Sequence, residues 1–224
     1  MNDAGVIPDI LLLNANTDAA MTERMVDQAR RLHPKCRGAT VADGARYITD
    51  RDSLQVAKHS VQQFMGGLSA AHYPDILIVA CFGDPAVRDL RASLPFPIMG
   101  LAEASCEIAC QTGNRFAIVT GGKKWPEILQ EFVGEIGMAS RLSGVYALEQ
   151  TGDRIAKDRV EASTALEALV SEAQADGADV VIFGGAGLIG FAEELQAACK
   201  VPLLDSVDCA VRLATGLVVR SGTT

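Results

Sequence analysis

An internal repeat constrains this chain more than any other feature of its sequence. The segment Pro74-Asp75-Ile76-Leu77-Ile78-Val79-Ala80-Cys81-Phe82-Gly83 has a counterpart in Ala178-Asp179-Val180-Val181-Ile182-Phe183-Gly184-Gly185-Ala186-Gly187. Each has an Asp, four apolar residues, and a turn leading into a helix-like pattern. Upstream, Ile10-Leu11-Leu12-Leu13-Asn14 answers Phe116-Ala117-Ile118-Val119-Thr120; downstream, Phe96-Pro97-Ile98-Met99-Gly100 answers Val201-Pro202-Leu203-Leu204-Asp205. The three pairs keep a spacing of 104–106 residues and the same order. One such match arises easily by chance, but three in order do not. A supersecondary unit is used twice.

The unit itself is α/β. Residues 10–13, 76–79, 116–119 and 180–183 are short apolar runs of the kind found in buried parallel strands, and 97–99 and 202–204 are two shorter strand candidates. Strands alternating with helical patterns imply a parallel sheet with crossover helices. The expected fold is therefore two pseudo-symmetric parallel-sheet α/β half-domains with an active site in the cleft between them. Residues 1–98 plus 205–224 form the first lobe, its terminal helix packing back on it, and residues 99–204 form the second. Ligands of open parallel sheets bind beyond the carboxyl ends of the strands. Four loops should converge there: residues 14–17, 81–85, 120–123 and 185–188.

Composition narrows the partners. Hydrophobic residues at 49% and charged residues at 21% fit a folded chain. The net charge of −8 leaves no phosphate-tracking surface, since the densest basic stretch, Arg30, Arg31, Lys35 and Arg37, reads as a solvated helix end. No nucleic acid is expected. Residues 1–5 are polar without a basic leader, and no apolar run reaches the ~20 residues of a membrane span. A cytoplasmic setting with six reduced cysteines and no membrane contact is expected.

Cys81 is the reactive candidate. It follows a strand and precedes a helix for which Asp84 suits the N-cap and Pro85 the first helical position. A thiol near a helix N-terminus is expected to favour thiolate, which can take or give a proton at carbon. The plain alternative is a small core residue, because free cysteines are commonly buried. Backbone N–H groups at Phe82, Gly83, Gly185 and Ala186 could hold a carboxylate or a developing enolate. Asn14, Asn16, Thr120 and Gly121 stand at the other two strand ends, where they suit either substrate contact or helix capping. Trp125 and Tyr47 could line an apolar wall. Glu103 either points into the cleft or serves a helix start. His33, His59 and His72 read as surface residues, and Cys36, Cys106, Cys110, Cys199 and Cys209 as core thiols. No metal-ligand spacing, Walker sequence or well-placed Gly-x-Gly-x-x-Gly is present, so neither a metal nor a nucleotide cofactor is implied.

Taken in order, several segments resemble the aspartate/glutamate/hydantoin racemase family. They are Leu13-Asn14-Ala15-Asn16-Thr17, Ala80-Cys81-Phe82-Gly83-Asp84-Pro85, Gly100-Leu101-Ala102-Glu103-Ala104-Ser105, Gly184-Gly185-Ala186-Gly187-Leu188 and Val201-Pro202-Leu203-Leu204-Asp205-Ser206. The hydantoin and allantoin racemase branch is the nearest in pattern. The resemblance implies cofactor-independent racemisation or epimerisation of a small amino-acid derivative, hydantoin-like or carboxylate, by two cysteines facing one stereocentre. It also implies a homo-oligomer. The first cysteine falls on Cys81; the second would fall on position 185, which is glycine here. The departure keeps two alternatives open. One is a single-cysteine decarboxylase of the arylmalonate decarboxylase type, with the thiol on the mirrored side. The other is a small-molecule binder without turnover.

Overall fold

The computed structural model describes residues 7–216. Residues 1–5 and the last part of the 205–224 segment lie outside the described residues. Two four-stranded, wholly parallel sheets carry the chain. The first contains β1 (Ile10–Asn14), β2 (Cys36–Thr40), β3 (Ile76–Ala80) and β4 (Ile98–Gly100) in the order β2-β1-β3-β4. The second contains β5 (Phe116–Gly121), β6 (Leu142–Leu148), β7 (Val180–Phe183) and β8 (Leu203–Asp205) in the order β6-β5-β7-β8. Strand order and sense are the same in both, so the repeat read from the sequence is a repeat of topology. β2 and β6 were not anticipated. Both are edge strands, and Cys36 and Leu148 alone among their residues are buried.

Side-chain alternation divides the apolar residues among three layers. Ile10 and Leu12 of β1, Ile76 and Ile78 of β3, Phe116 and Ile118 of β5, and Val180 and Ile182 of β7 all join one central cluster. Leu11, Leu13, Leu77 and Val79 face outward onto α2 (Arg51–Gly66) and α3 (Val87–Ser93). Ala117, Val119, Val181 and Phe183 face outward onto α7 (Arg159–Ala175) and α8 (Phe191–Leu195). The central layer also contains α1 (Ala19–Arg30), α4 (Leu101–Thr112), α5 (Trp125–Glu135) and α9 (Ser206–Ala214). α4 and α9 pack on each other through small residues, Ala102, Ala109 and Ala210 among them. α9 also packs on α1. The halves therefore share a continuous core, and their strand ends are held in fixed relation. A short helix, α6 (Gly152–Lys157), follows β6. No helix among the described residues is long and apolar enough to cross a membrane.

Candidate active site

The loops after β3 and β7 meet directly. The Phe82 ring lies so close to Gly184 that a Cβ there would stand 2.5 Å from it. Beside this contact opens a cavity of about 80 Å³. That is well above the ~10–15 Å³ minimum that admits a single water. Asn16, Cys81, Phe82, Thr120, Gly121, Gly185 and Ala186 line it, so most of the expected site residues come together. Trp125, Tyr47, Met21, Ile48 and Leu188 supply an apolar wall. No described lining residue has a charged side chain.

Asn14 and Gly83 stand behind the wall rather than in it. The amide of Asn14 is fully buried, with its nitrogen within hydrogen-bonding distance of Asn16 Oδ1, the Asp18 carbonyl and Thr22 Oγ1. Its oxygen accepts from the Asn16 N–H. Asn14 therefore shapes the loop and leaves the cavity to Asn16. The Asn16 side-chain amide donates to Met21 Sδ at 3.3 Å, and a thioether is a weak acceptor that a ligand carbonyl would replace readily. Gly83 donates its N–H to the Cys81 carbonyl at 3.0 Å and so offers no donor to a ligand. The N–H groups of Phe82, Gly185 and Ala186 meet no acceptor among the described residues, and all three residues line the cavity.

The Cys81 loop departs from expectation in two respects. α3 begins at Val87, with Ala86 at its N-cap, so Asp84 does not cap it. Pro85 accordingly precedes the helix. Asp84 has φ +49° and Ala86 φ +65°, a left-handed conformation that is costly for non-glycine residues. The Asp84 carboxylate instead caps α4: the N–H groups of Ala102 and Glu103 donate to its two oxygens, each at 2.8 Å. Gly100, the N-cap residue of α4, makes room for it, since a Cβ there would collide with the carboxylate. The thiol is likewise not activated by a helix. Cys81 is half-buried, and desolvation, then the Asp84 charge, push its pKa up. Both effects favour the protonated thiol.

On the facing loop, Thr120 Oγ1 donates to the Gly184 carbonyl at 2.8 Å. Gly185 has φ +113°. A Cβ there would meet only Thr120 Oγ1, at 3.8 Å. Space for a side chain exists, but the backbone conformation suits glycine.

The remaining candidates fall outside the cavity. Glu103 lies in the first turn of α4 and pairs with Arg91 at 2.6 Å. His33 is buried, with Nε2 at 2.7 Å from the Pro8 carbonyl, which corrects the expectation of a surface residue. His59 and His72 are exposed. Cys36, Cys106 and Cys209 are buried and Cys110 and Cys199 half-buried. Thr49 and Thr151 were missed as lining residues. They stand in loops that follow β2 and β6, the two strands the sequence concealed.

Duplicated parallel-sheet halves that meet over a single cysteine place the chain among the racemase-type isomerases. It belongs to the Asp/Glu/hydantoin racemase family, whose model, described as Asp/Glu/Hydantoin racemase, matches residues 10–214. A hydantoin racemase of Paenarthrobacter aurescens is 29% identical over 220 residues, covering 93% of this chain and 90% of its own. The crystal structure of the allantoin racemase from Pseudomonas fluorescens superposes with a TM-score of 0.84 at 26% identity, covering 93% of this chain and 90% of that one. The allantoin racemase from Klebsiella pneumoniae gives the same TM-score at 25% identity, with 93% and 86% covered.

Proposed function

We propose that this enzyme moves a proton at the acidic carbon of a small, uncharged, hydantoin-like ureide, with Cys81 as the acid/base group. The observation that carries the reading is Cys81 at the strand end, opening onto a cavity whose other donors are all neutral. A ring carbonyl that becomes an enolate would be met by the N–H groups of Phe82, Gly185 and Ala186. The Asn16 amide and the Thr120 hydroxyl would orient the ring's polar edge. A substrate carrying a free carboxylate would find no counter-charge in this wall, and burying an uncompensated charge is expensive. The hydantoin and allantoin racemases among the relatives agree with a ureide. The absence of a thiol at Gly185 favours a second reading, in which one thiol protonates an enolate on a single face after CO₂ is lost; the uncharged wall weighs against its malonate substrate.

Proton exchange in D₂O, followed by NMR, separates these readings. Hydantoin-type ureides should exchange their ring α-proton, while free amino acids and substituted malonates should stay unchanged. Cys81→Ala should slow the exchange about 10²–10⁴-fold, the usual worth of a positioned acid/base. Undiminished exchange in Cys81→Ala refutes the role of the thiol, and CO₂ release from a malonate refutes the choice of substrate.

A further inference from the structure

We propose that Asp84 is a positioning residue for Cys81: it ties the Cys81 loop to the N-terminus of α4 and so holds the thiol in place at the cavity, with its own charge in the same loop. The inference rests on the reading of Cys81 as the acid/base group. Three observations support it independently. The loop contains two strained non-glycine residues, Asp84 and Ala86, and strain of this kind persists only where the surroundings enforce it. The enforcing contact is visible: a buried carboxylate takes two N–H groups of a helix start, and its oxygens fill the space left by Gly100. Charge-assisted bonds of this type are among the strong ones. The Asp84 N–H in turn donates to the Cys81 carbonyl at 3.1 Å, so the tie reaches the cysteine through one residue's own backbone.

Charge makes the arrangement more than a brace. Asp84 is the charged group that acts on Cys81, and it acts against thiolate formation. The groups facing Asp84 itself are Glu103 and Arg91, which are paired with each other, and the buried thiol of Cys106. None of these lines the cavity. The second half supplies a control. Asp205, at the start of α9, accepts from the N–H groups of Val207, Asp208 and Gly190 and so makes an equivalent tie, but the loop it holds has glycine where the first has Cys81.

The test is the pH profile of Cys81 alkylation by iodoacetamide, read on the Cys81 peptide by mass spectrometry, in wild type, Asp84→Asn and Asp205→Asn. Asp84→Asn should move the midpoint down by about one pH unit, a roughly tenfold faster reaction at pH 7.5. It should also lower kcat for α-proton exchange with little change in KM. Asp205→Asn should leave the midpoint in place. A midpoint unmoved in folded Asp84→Asn, or moved equally by both variants, overturns the proposal. Should Asp84→Asn not fold, wild type still decides. Burial places the Asp84 carboxyl at about 7. The logarithm of the rate should climb with a slope below one across the pH interval in which Asp84 ionises, and a slope of one over the whole range from about pH 4 to 9 refutes the coupling. Alkylation needs no turnover, so this result is separable from the exchange test of Cys81 itself.

Discussion

The two halves make the same tie between loop and helix with its partners exchanged. In the first half the carboxylate sits in the strand-end loop, at Asp84, and glycine stands at the helix start, at Gly100. In the second half glycine sits in the loop, at Gly190, and the carboxylate stands at the helix start, at Asp205. Gly100 and Asp205 hold matching places in the repeat, each three residues after the proline of its strand. Either arrangement closes the loop onto the helix N-terminus. Only the first puts a negative charge next to a reactive residue. A duplicated fold can thus keep its mechanical joints equal while making its chemistry one-sided.

Breaking the joints should give the largest effects. Asp84→Ala and Asp205→Ala each leave at least two N–H groups without an acceptor, one buried and the other part-buried, at a cost of about 1–3 kcal/mol for the buried one and less for the other. Equal losses in urea denaturation would show mechanical equivalence; a much smaller loss for one would show that the joints differ. The pH dependence has a definite sign. Burial raises Asp84 to about 7 and Asp205 to about 6. Between an ordinary carboxyl value of ~3.9 and these values, the folded protein holds protons that the unfolded chain has released. This contribution to stability therefore falls as pH rises through the window from about 4 to 7. The melting temperature of wild type should drop by several degrees from pH 5 to pH 8, and Asp84→Asn should flatten the curve more than Asp205→Asn.

What the sequence concealed does not follow the division between the halves, because one strand was hidden in each. Central strands of a parallel sheet are buried on both faces, so residues such as Ile76–Ala80 read as uninterrupted apolar runs. The edge strands β2 and β6 are mostly unburied, unlike the short edge strands β4 and β8, and Cys36-Arg37-Gly38-Ala39-Thr40 gives no strand signal. Missing β2 and β6 meant missing Thr49 and Thr151, because a loop cannot be placed before its strand is. Asp84 was misjudged for a different reason. Aspartate before proline is a good local cap, but its actual partners lie 18 and 19 residues downstream and depend on tertiary packing. Asn14 and Asn16 look alike in sequence, and hydrogen-bond partners alone separate the loop brace from the cavity donor. The thiol's raised pKa also follows from burial, which local spacing does not report.

Intermediate effects are expected where the halves touch. Gly184 and Gly185 are adjacent and need glycine for different reasons. Gly184→Ala drives a methyl group into the Phe82 ring, and overpacking costs about 1–3 kcal/mol. Gly185→Ala meets no such obstacle, but its φ of +113° imposes backbone strain of about 1–3 kcal/mol. Stability alone will not tell them apart. Chemistry should: Gly184→Ala displaces the Cys81 loop and alters the alkylation rate of Cys81, whereas Gly185→Ala leaves it near wild type. Equal changes in both would mean that the two loops move as one body.

The smallest effect belongs to the ion pairs that cross between the halves. Arg51, at the start of α2, meets Glu131 of α5 through two contacts of 2.6 and 2.7 Å, and Lys124 meets Asp50 at 2.9 Å. Short distances and bidentate geometry make these pairs look like the main link between the lobes. Their exposure argues otherwise: both partners of the Arg51 pair keep about half of their side-chain surface in water. Solvent already satisfies such groups well, and surface pairs gain little from meeting. The shared apolar layer of α1, α4, α5 and α9 is what holds the halves in register. Arg51→Ala should therefore shift the melting temperature by less than about 2 °C, and 1 M NaCl, with a Debye length of about 3 Å, should remove the difference. A drop comparable to that of Asp84→Ala would reverse this ranking and make the exposed pairs, rather than the buried layer, the structural link between the two halves.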